Sequence, residues 1–151
     1  MDDRYGYAER LGADLTLIGF PRMPARVFAA LFSTDAGRLT AAELADQLQA
    51  SPAAISGAIR YLEQLNLVGR EHEPGSRRDH YRVYEDGWIH SVRLRDQVMI
   101  RLLDRFKEGI VLLGEDTPAG QRIAESRDFW EFIMAESATL IERWQNRRRD
   151  Q

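Results

Sequence analysis

The feature that most restricts the fold is a pair of helix-start signals set close together in the first half of the chain. Thr40-Ala41-Ala42-Glu43 has the form of a capping box, in which the Thr side chain accepts from the amide of Glu43 and Glu43 reaches back to the amide of Thr40. Ser51-Pro52 is a second start, with Ser as N-cap and Pro at the first helical position. The helix between them, through Leu44, Ala45 and Leu48, is therefore short, and the chain turns at Gln49-Ala50-Ser51. The next helix, residues 52–65, collects Ile55, Ala58, Ile59, Leu62 and Leu65 on one side and ends at Asn66 and Gly69. The period then changes from helical to alternating. Residues 67–73 and 80–84 read as two strands of a hairpin whose tip is Pro74-Gly75-Ser76-Arg77-Arg78-Asp79.

Two short helices, a tight turn and a basic hairpin make a winged helix-turn-helix arrangement. Its recognition helix would present Ala53, Ser56, Gly57 and Arg60 outward near the N-terminus. These residues are small except for Arg60, the one long donor able to reach a guanine edge or a phosphate. Thr40 and Ser51, at the two helix starts, are further candidates for DNA contact. The wing adds Ser76, Arg77, Arg78 and, on the returning strand, Arg82, and a protruding Arg suits a narrow minor groove. Asp79 is expected to hold a neighbouring Arg in an ion pair.

Longer helices flank this lobe. Residues 6–18 carry Tyr7, Ala8, Leu11, Leu15 and Ile18 at helical spacing, stopped by Gly19 and Pro21. Pro24 opens the next helix, through Val27, Phe28, Leu31 and Phe32. A long helix from Gly87 or Trp88 to Leu113 repeats Trp88, Val92, Met99, Leu102, Phe106, Ile110 and Leu113, and would be about 39 Å long. Thr117-Pro118 starts the last helix, expected to bend near residues 126–128, with a stripe of Trp130, Ile133, Ser137, Leu140 and Trp144. The small lobe cannot cover these stripes. A second copy of the chain is the simplest partner, with Leu11, Leu15, Ile110, Trp130, Ile133, Leu140 and Trp144 as its expected interface. The fold class is thus mainly α with a small β-hairpin wing. The expected division is a lobe at residues 20–86 and dimerisation helices at 1–19 and 87–151 of one domain.

Composition narrows the function. At 151 residues with 44% hydrophobic and 30% charged, the chain can build one sizeable core. It has no cysteine, which removes disulfides, thiol catalysis and thiolate metal sites. No leader pattern is visible, and no apolar run approaches the roughly 18 residues of a membrane span, so a cytoplasmic protein without membrane contact is expected. The net charge of −3 argues mildly against nucleic acid, but DNA responds to the local patch. There is no Gly-rich phosphate loop, no Gly-x-Ser-x-Gly turn and no His-Glu-x-x-His, and no enzyme or cofactor is expected. His72, His80 and His90 lack a metal spacing, and His72 and His80 are expected to face each other across the hairpin. Arg22 and Arg26 share a helix face, for ion pairs or phosphate. Arg60 has Glu43 and Glu63 as alternative surface partners.

Several stretches resemble the GbsR-like branch of the MarR family of transcriptional regulators. They are Gly19-Phe20-Pro21-Arg22-Met23-Pro24-Ala25-Arg26-Val27, Leu39-Thr40-Ala41-Ala42-Glu43-Leu44-Ala45, Ser51-Pro52-Ala53-Ala54-Ile55-Ser56 and Pro74-Gly75-Ser76-Arg77-Arg78-Asp79-His80-Tyr81-Arg82. The resemblance implies a homodimer, paired through the first and last two helices, on a roughly palindromic DNA operator. It also implies a repressor released by a small-molecule effector. Related sequences place Gly where this chain has Gln49, so the turn is expected either to hold a left-handed Gln or to change shape. The alternative reading is a winged-helix protein-interaction module that does not bind DNA.

Overall fold

The computed structural model describes residues 3–151 and divides into two compact units, one through Ser91 and one from Val92 onward. The sequence-stop and capping signals place the elements of the first unit. They are α1 (Asp3–Leu17), α2 (Arg22–Phe32), β1 (Arg38–Thr40), α3 (Ala41–Leu48), α4 (Pro52–Gln64), β2 (Val68–His72) and β3 (Asp79–Val83), followed by the start of α5 (Gly87–Leu113). The second unit holds the rest of α5 and α6 (Pro118–Arg149). Among the described residues no helix is long and apolar enough to cross a membrane. The expected leader-free start at Met1 and Asp2 lies outside the described residues.

In the first unit α2 is the central element. Ala25, Val27, Phe28, Ala29, Ala30 and Leu31 are all buried, and α1, α3, α4, β1 and β3 pack against it. Leu44, Leu48, Ile55, Ile59, Leu62, Leu67 and Val68 complete the core. Phe28 stacks on Phe32 with centroids 5.4 Å apart and takes the edge of Trp88 at 5.5 Å. Such pairs add about 0.5–1.5 kcal/mol each beyond the area they bury.

Both expected helix starts are present. Thr40 accepts from the amide of Glu43 at 3.1 Å, and the Glu43 carboxylate accepts from the amide of Thr40 at 2.7 Å. Ser51 accepts from the amide of Ala54 at 3.2 Å. Between the two helices Gln49 adopts the left-handed conformation, with φ 50° and ψ 48°. Its cost, about 1–2 kcal/mol for a residue with a Cβ, is partly offset because the Gln49 side-chain amide donates to the carbonyl of Asp46 at 2.6 Å. Asn66, at φ 55°, ends α4 in the same way.

Four features differ from the sequence reading. Residues 38–40 form a strand, so the hairpin becomes a three-stranded sheet in the order β1-β3-β2. That run is too short to show alternation, and only its pairing with Tyr81 and its neighbours reveals it. The register sets His72 opposite Asp79 and His80 opposite Glu71, so the two histidines do not face each other. The first helix extends back to Asp3, the first described residue, and the last is one unbroken helix with no bend at residues 126–128.

In the second unit α5 and α6 run antiparallel. Lys107 pairs with Glu131 at 3.8 Å, and Arg95 donates to the Ser137 hydroxyl at 3.4 Å. Gly114, at φ 88°, turns the chain, and the Thr117 hydroxyl accepts from the amide of Gly120 at 3.0 Å. A Cβ on Gly120 would run into the Gly114 carbonyl oxygen.

Replacing Gly120 by Ala is therefore expected to lower stability by about 1–3 kcal/mol in chemical denaturation, since two backbones must separate. The capping box generates a pH prediction. The Glu43 carboxyl is held below its ordinary value of 4.5, first by the backbone amide of Thr40, then by the Thr40 hydroxyl and the nearby His80 and Arg78, against some desolvation. A lowered folded-state pKa contributes stability above the unfolded value, and that stability is lost as pH falls through the folded one. Glu43→Gln should therefore be less stable than the wild type at neutral pH and lose less as pH drops below 4.5. Thermal denaturation across an acid series checks this.

Candidate nucleic-acid interface

The buried side of α4 is Ile55, Ala58, Ile59 and Leu62. Its opposite side near the N-terminus, Ala53, Ser56, Gly57 and Arg60, is exposed together with Ser51. Gly57 has no packing reason inside the chain, because a Cβ there would meet nothing within 4 Å. A mid-helix Gly costs about 1 kcal/mol relative to Ala. Arg60 makes no ion pair among the described residues, with Glu43, Glu63 or any other acid.

The wing tip is built by local hydrogen bonds. The amide of Ser76 donates to the carbonyl of Glu73 at 3.0 Å, and the Ser76 hydroxyl accepts from the amide of Arg78 at 3.1 Å. Gly75, at φ 84°, makes the turn possible. Arg77 and Arg78 are exposed at this tip, and neither pairs with an acid in the ion pairs of the described residues.

The arginines lower in the sheet are held. Glu71 accepts from Arg82 Nε at 3.1 Å and from Arg38 Nη1 at 3.3 Å, which joins all three strands through one carboxylate. Arg82 also donates to the carbonyl of Ala36 at 3.1 Å. The Glu71 carboxyl is lowered from its ordinary value, first by the Arg82 hydrogen bond and then by that of Arg38, against desolvation. Asp79 lies 3.6 Å from Arg70 Nε and 3.0 Å from His72 Nδ1, and the Arg70 guanidinium lies over the Tyr81 ring at 5.8 Å. The Arg that Asp79 holds is Arg70 on the neighbouring strand, which the sequence alone did not single out.

Thr40 is buried at 7% exposure, with its hydroxyl shared between the amide and the carboxylate of Glu43. It orders α3 from within. On α2, Arg22 is exposed and Arg26 is engaged with Glu9. Of the residues considered for pairing two copies, Leu15 and Ile110 are buried within the single chain, and Leu11, Trp130 and Ile133 are half-buried. Leu140 and Trp144 remain 58% and 51% exposed, joined by Phe129 and Phe132, which the heptad reading passed over.

Comparison with known proteins agrees with this architecture. A family model described as MarR family matches residues 18–79, and one described as an MmpR5-like MarR family transcriptional regulator matches residues 86–147. No curated protein matches the sequence. A crystal structure described as a transcriptional regulator is 26% identical, with a TM-score of 0.83 over 95% of this chain and 99% of its own. AbsC, a MarR family transcriptional regulator from Streptomyces coelicolor, is 19% identical over 88% of this chain and 87% of its own, at a TM-score of 0.45. The S. aureus MepR–DNA complex is 18% identical over 69% of this chain and 87% of its own, at 0.44. The last two superpose too loosely to carry an argument. With MarR-type models on both successive stretches and a winged helix-turn-helix between its long helices, the chain belongs to the MarR family of winged-helix transcriptional regulators.

Proposed function

We propose that this regulator is a homodimer that binds a roughly palindromic DNA operator, one α4 helix per half-site, and acts as a repressor released by a small-molecule effector. The observation that carries the DNA reading is the outward face of α4. Ala53, Ser56 and Gly57 leave a shallow surface with room for close approach, and Gly57 serves no packing inside the chain. Arg60 stands beside them without an ion pair, free to donate to a guanine edge or a phosphate. The tip arginines Arg77 and Arg78, with Ser76 bracing the turn, supply the minor-groove contact of the wing. Arg82 and Thr40 support this surface through the sheet and the α3 cap.

Dimerisation, expected through residues 1–19 and 87–151, is supported by the exposed Phe129, Phe132, Leu140 and Trp144 on α6, apolar area that a monomer leaves in water. The repressor role, the effector and the GbsR-like branch rest on the family resemblance of the helix-turn-helix and wing segments.

Fluorescence anisotropy on a duplex selected from random DNA tests the reading directly. Arg60→Ala is expected to cost about 1–3 kcal/mol on the selected duplex. The double replacement Arg77→Ala with Arg78→Ala should weaken binding and flatten the log–log salt dependence by roughly 0.9 per lost phosphate contact. An unchanged slope would remove the wing from the interface, and a chain that selects no sequence would point to the protein-interaction module instead. In sedimentation equilibrium, Trp144→Asp combined with Leu140→Asp should weaken the dimer by about 2 kcal/mol or more, roughly thirtyfold.

A further inference from the structure

One partly buried connection reaches the helix-turn-helix from outside it. Arg26, on α2, donates from Nη2 to Glu9 Oε1 at 2.9 Å and from Nε to Glu9 Oε2 at 3.3 Å, a two-pronged pair that only a guanidinium can make. The same Nη2 donates at 3.1 Å to the backbone carbonyl of Leu48. Leu48 is the last residue of α3, and the left-handed Gln49 follows it. Two other carbonyls at this helix end have local donors. That of Ala45 accepts from the amide of Ala50 at 3.0 Å, and that of Asp46 accepts from the amide and the side chain of Gln49. The Leu48 carbonyl instead depends on Arg26, from another helix. A cation at that point also faces the negative end of the α3 dipole.

Arg26 can make this reach because α1 and α2 come close beside it. A Cβ on Gly12 would stand 3.4 Å from the Arg26 Cα, and the guanidinium lies along a cleft of about 390 Å³ lined by Glu9, Gly12, Ala13, Thr16 and Arg22. The side chain is 23% exposed, so its charge needs partners on the protein, and Glu9 supplies one.

We infer that Arg26 is a positioning residue for DNA reading. By tying Glu9 of α1 to the last carbonyl of α3, it holds the turn Gln49-Ala50-Ser51 in the one conformation that delivers α4 to the major groove. The turn needs an external tie because its first residue, Gln49, sits in a narrow well that a side chain with a Cβ disfavours. Without the tie, α4 keeps its core contacts through Ile55, Ile59 and Leu62, but the N-terminal residues Ala53, Ser56 and Gly57 lose their fixed register. The inference rests on the reading of α4 as the DNA-recognition helix.

The test compares the full-length wild type with Arg26→Gln and Arg26→Lys in two measurements. In amide hydrogen exchange, Arg26→Gln should speed exchange at Gln49 and Ala50 at least tenfold while Ala29 and Leu31 of α2 keep wild-type rates. In anisotropy, its preference for the selected duplex over a random one should fall at least tenfold, with affinity for the random duplex within twofold of wild type. Arg26→Lys, whose ammonium still donates to the Leu48 carbonyl, should recover at least half of each loss on a logarithmic scale. Wild-type exchange at the turn in Arg26→Gln would overturn the tie, and equal weakening on both duplexes would overturn its positioning role. A wild-type chain with no sequence preference would refute the DNA reading itself, and the positioning role with it, while the exchange measurement would separately decide whether the tie exists.

Discussion

The first unit depends on the burial of α2. An eleven-residue helix with Ala25, Ala29 and Ala30 among its buried positions lets neighbouring backbones come close, while Val27, Phe28 and Leu31 fill the space between them. Five other elements rest on it, so their mutual angles are set by one rigid body. Interiors are packed as densely as organic crystals, and such a hub transmits small displacements without absorbing them. The helix-turn-helix is therefore presented on a stiff base, and its remaining freedom lies in the turn at Gln49 and in the wing.

The distribution of charge explains how a chain of net charge −3 presents basic groups where they would be needed. The acids of the sheet take up the arginines of the sheet. Glu71 holds Arg38 and Arg82, and Asp79 holds Arg70. Arg60 on α4 and Arg77 and Arg78 at the wing tip stand outside these pairs. Exposed ion pairs of this kind add little stability on their own, about 0–1 kcal/mol. Their greater effect is directional, since one carboxylate bridging three strands limits how the wing can tilt.

Much of this was legible in local sequence. The Thr40–Glu43 capping box, the Ser51-Pro52 start and the Gly75 turn are signals carried by adjacent residues and by backbone chemistry, and each appears in place. The apolar faces of α2 and α4 follow from spacing alone. What escaped was long-range. Strand β1 is three residues with no pattern of its own and exists because Leu39 pairs with Tyr81. The hairpin register, which decides that His72 meets Asp79, shifts with the length of the tip and cannot be read from composition. Phe129 and Phe132 fall outside the heptad stripe, and only their exposure marks them as apolar surface.

The sequence by itself determined where helices begin, which faces are apolar, and that a short helix pair precedes a basic hairpin. Those properties depend on neighbours within a few residues, where capping and periodicity act. Tertiary structure alone decided which charges are spent and which are free. Arg26, Arg60 and Arg82 look alike in the sequence. One bridges Glu9 and the Leu48 carbonyl, one makes no ion pair among the described residues, and one is locked to Glu71 and the Ala36 carbonyl. The reason is geometric, because an ion pair forms over a few ångströms of space between residues that can be far apart in the chain, and only the packed core brings them to that distance.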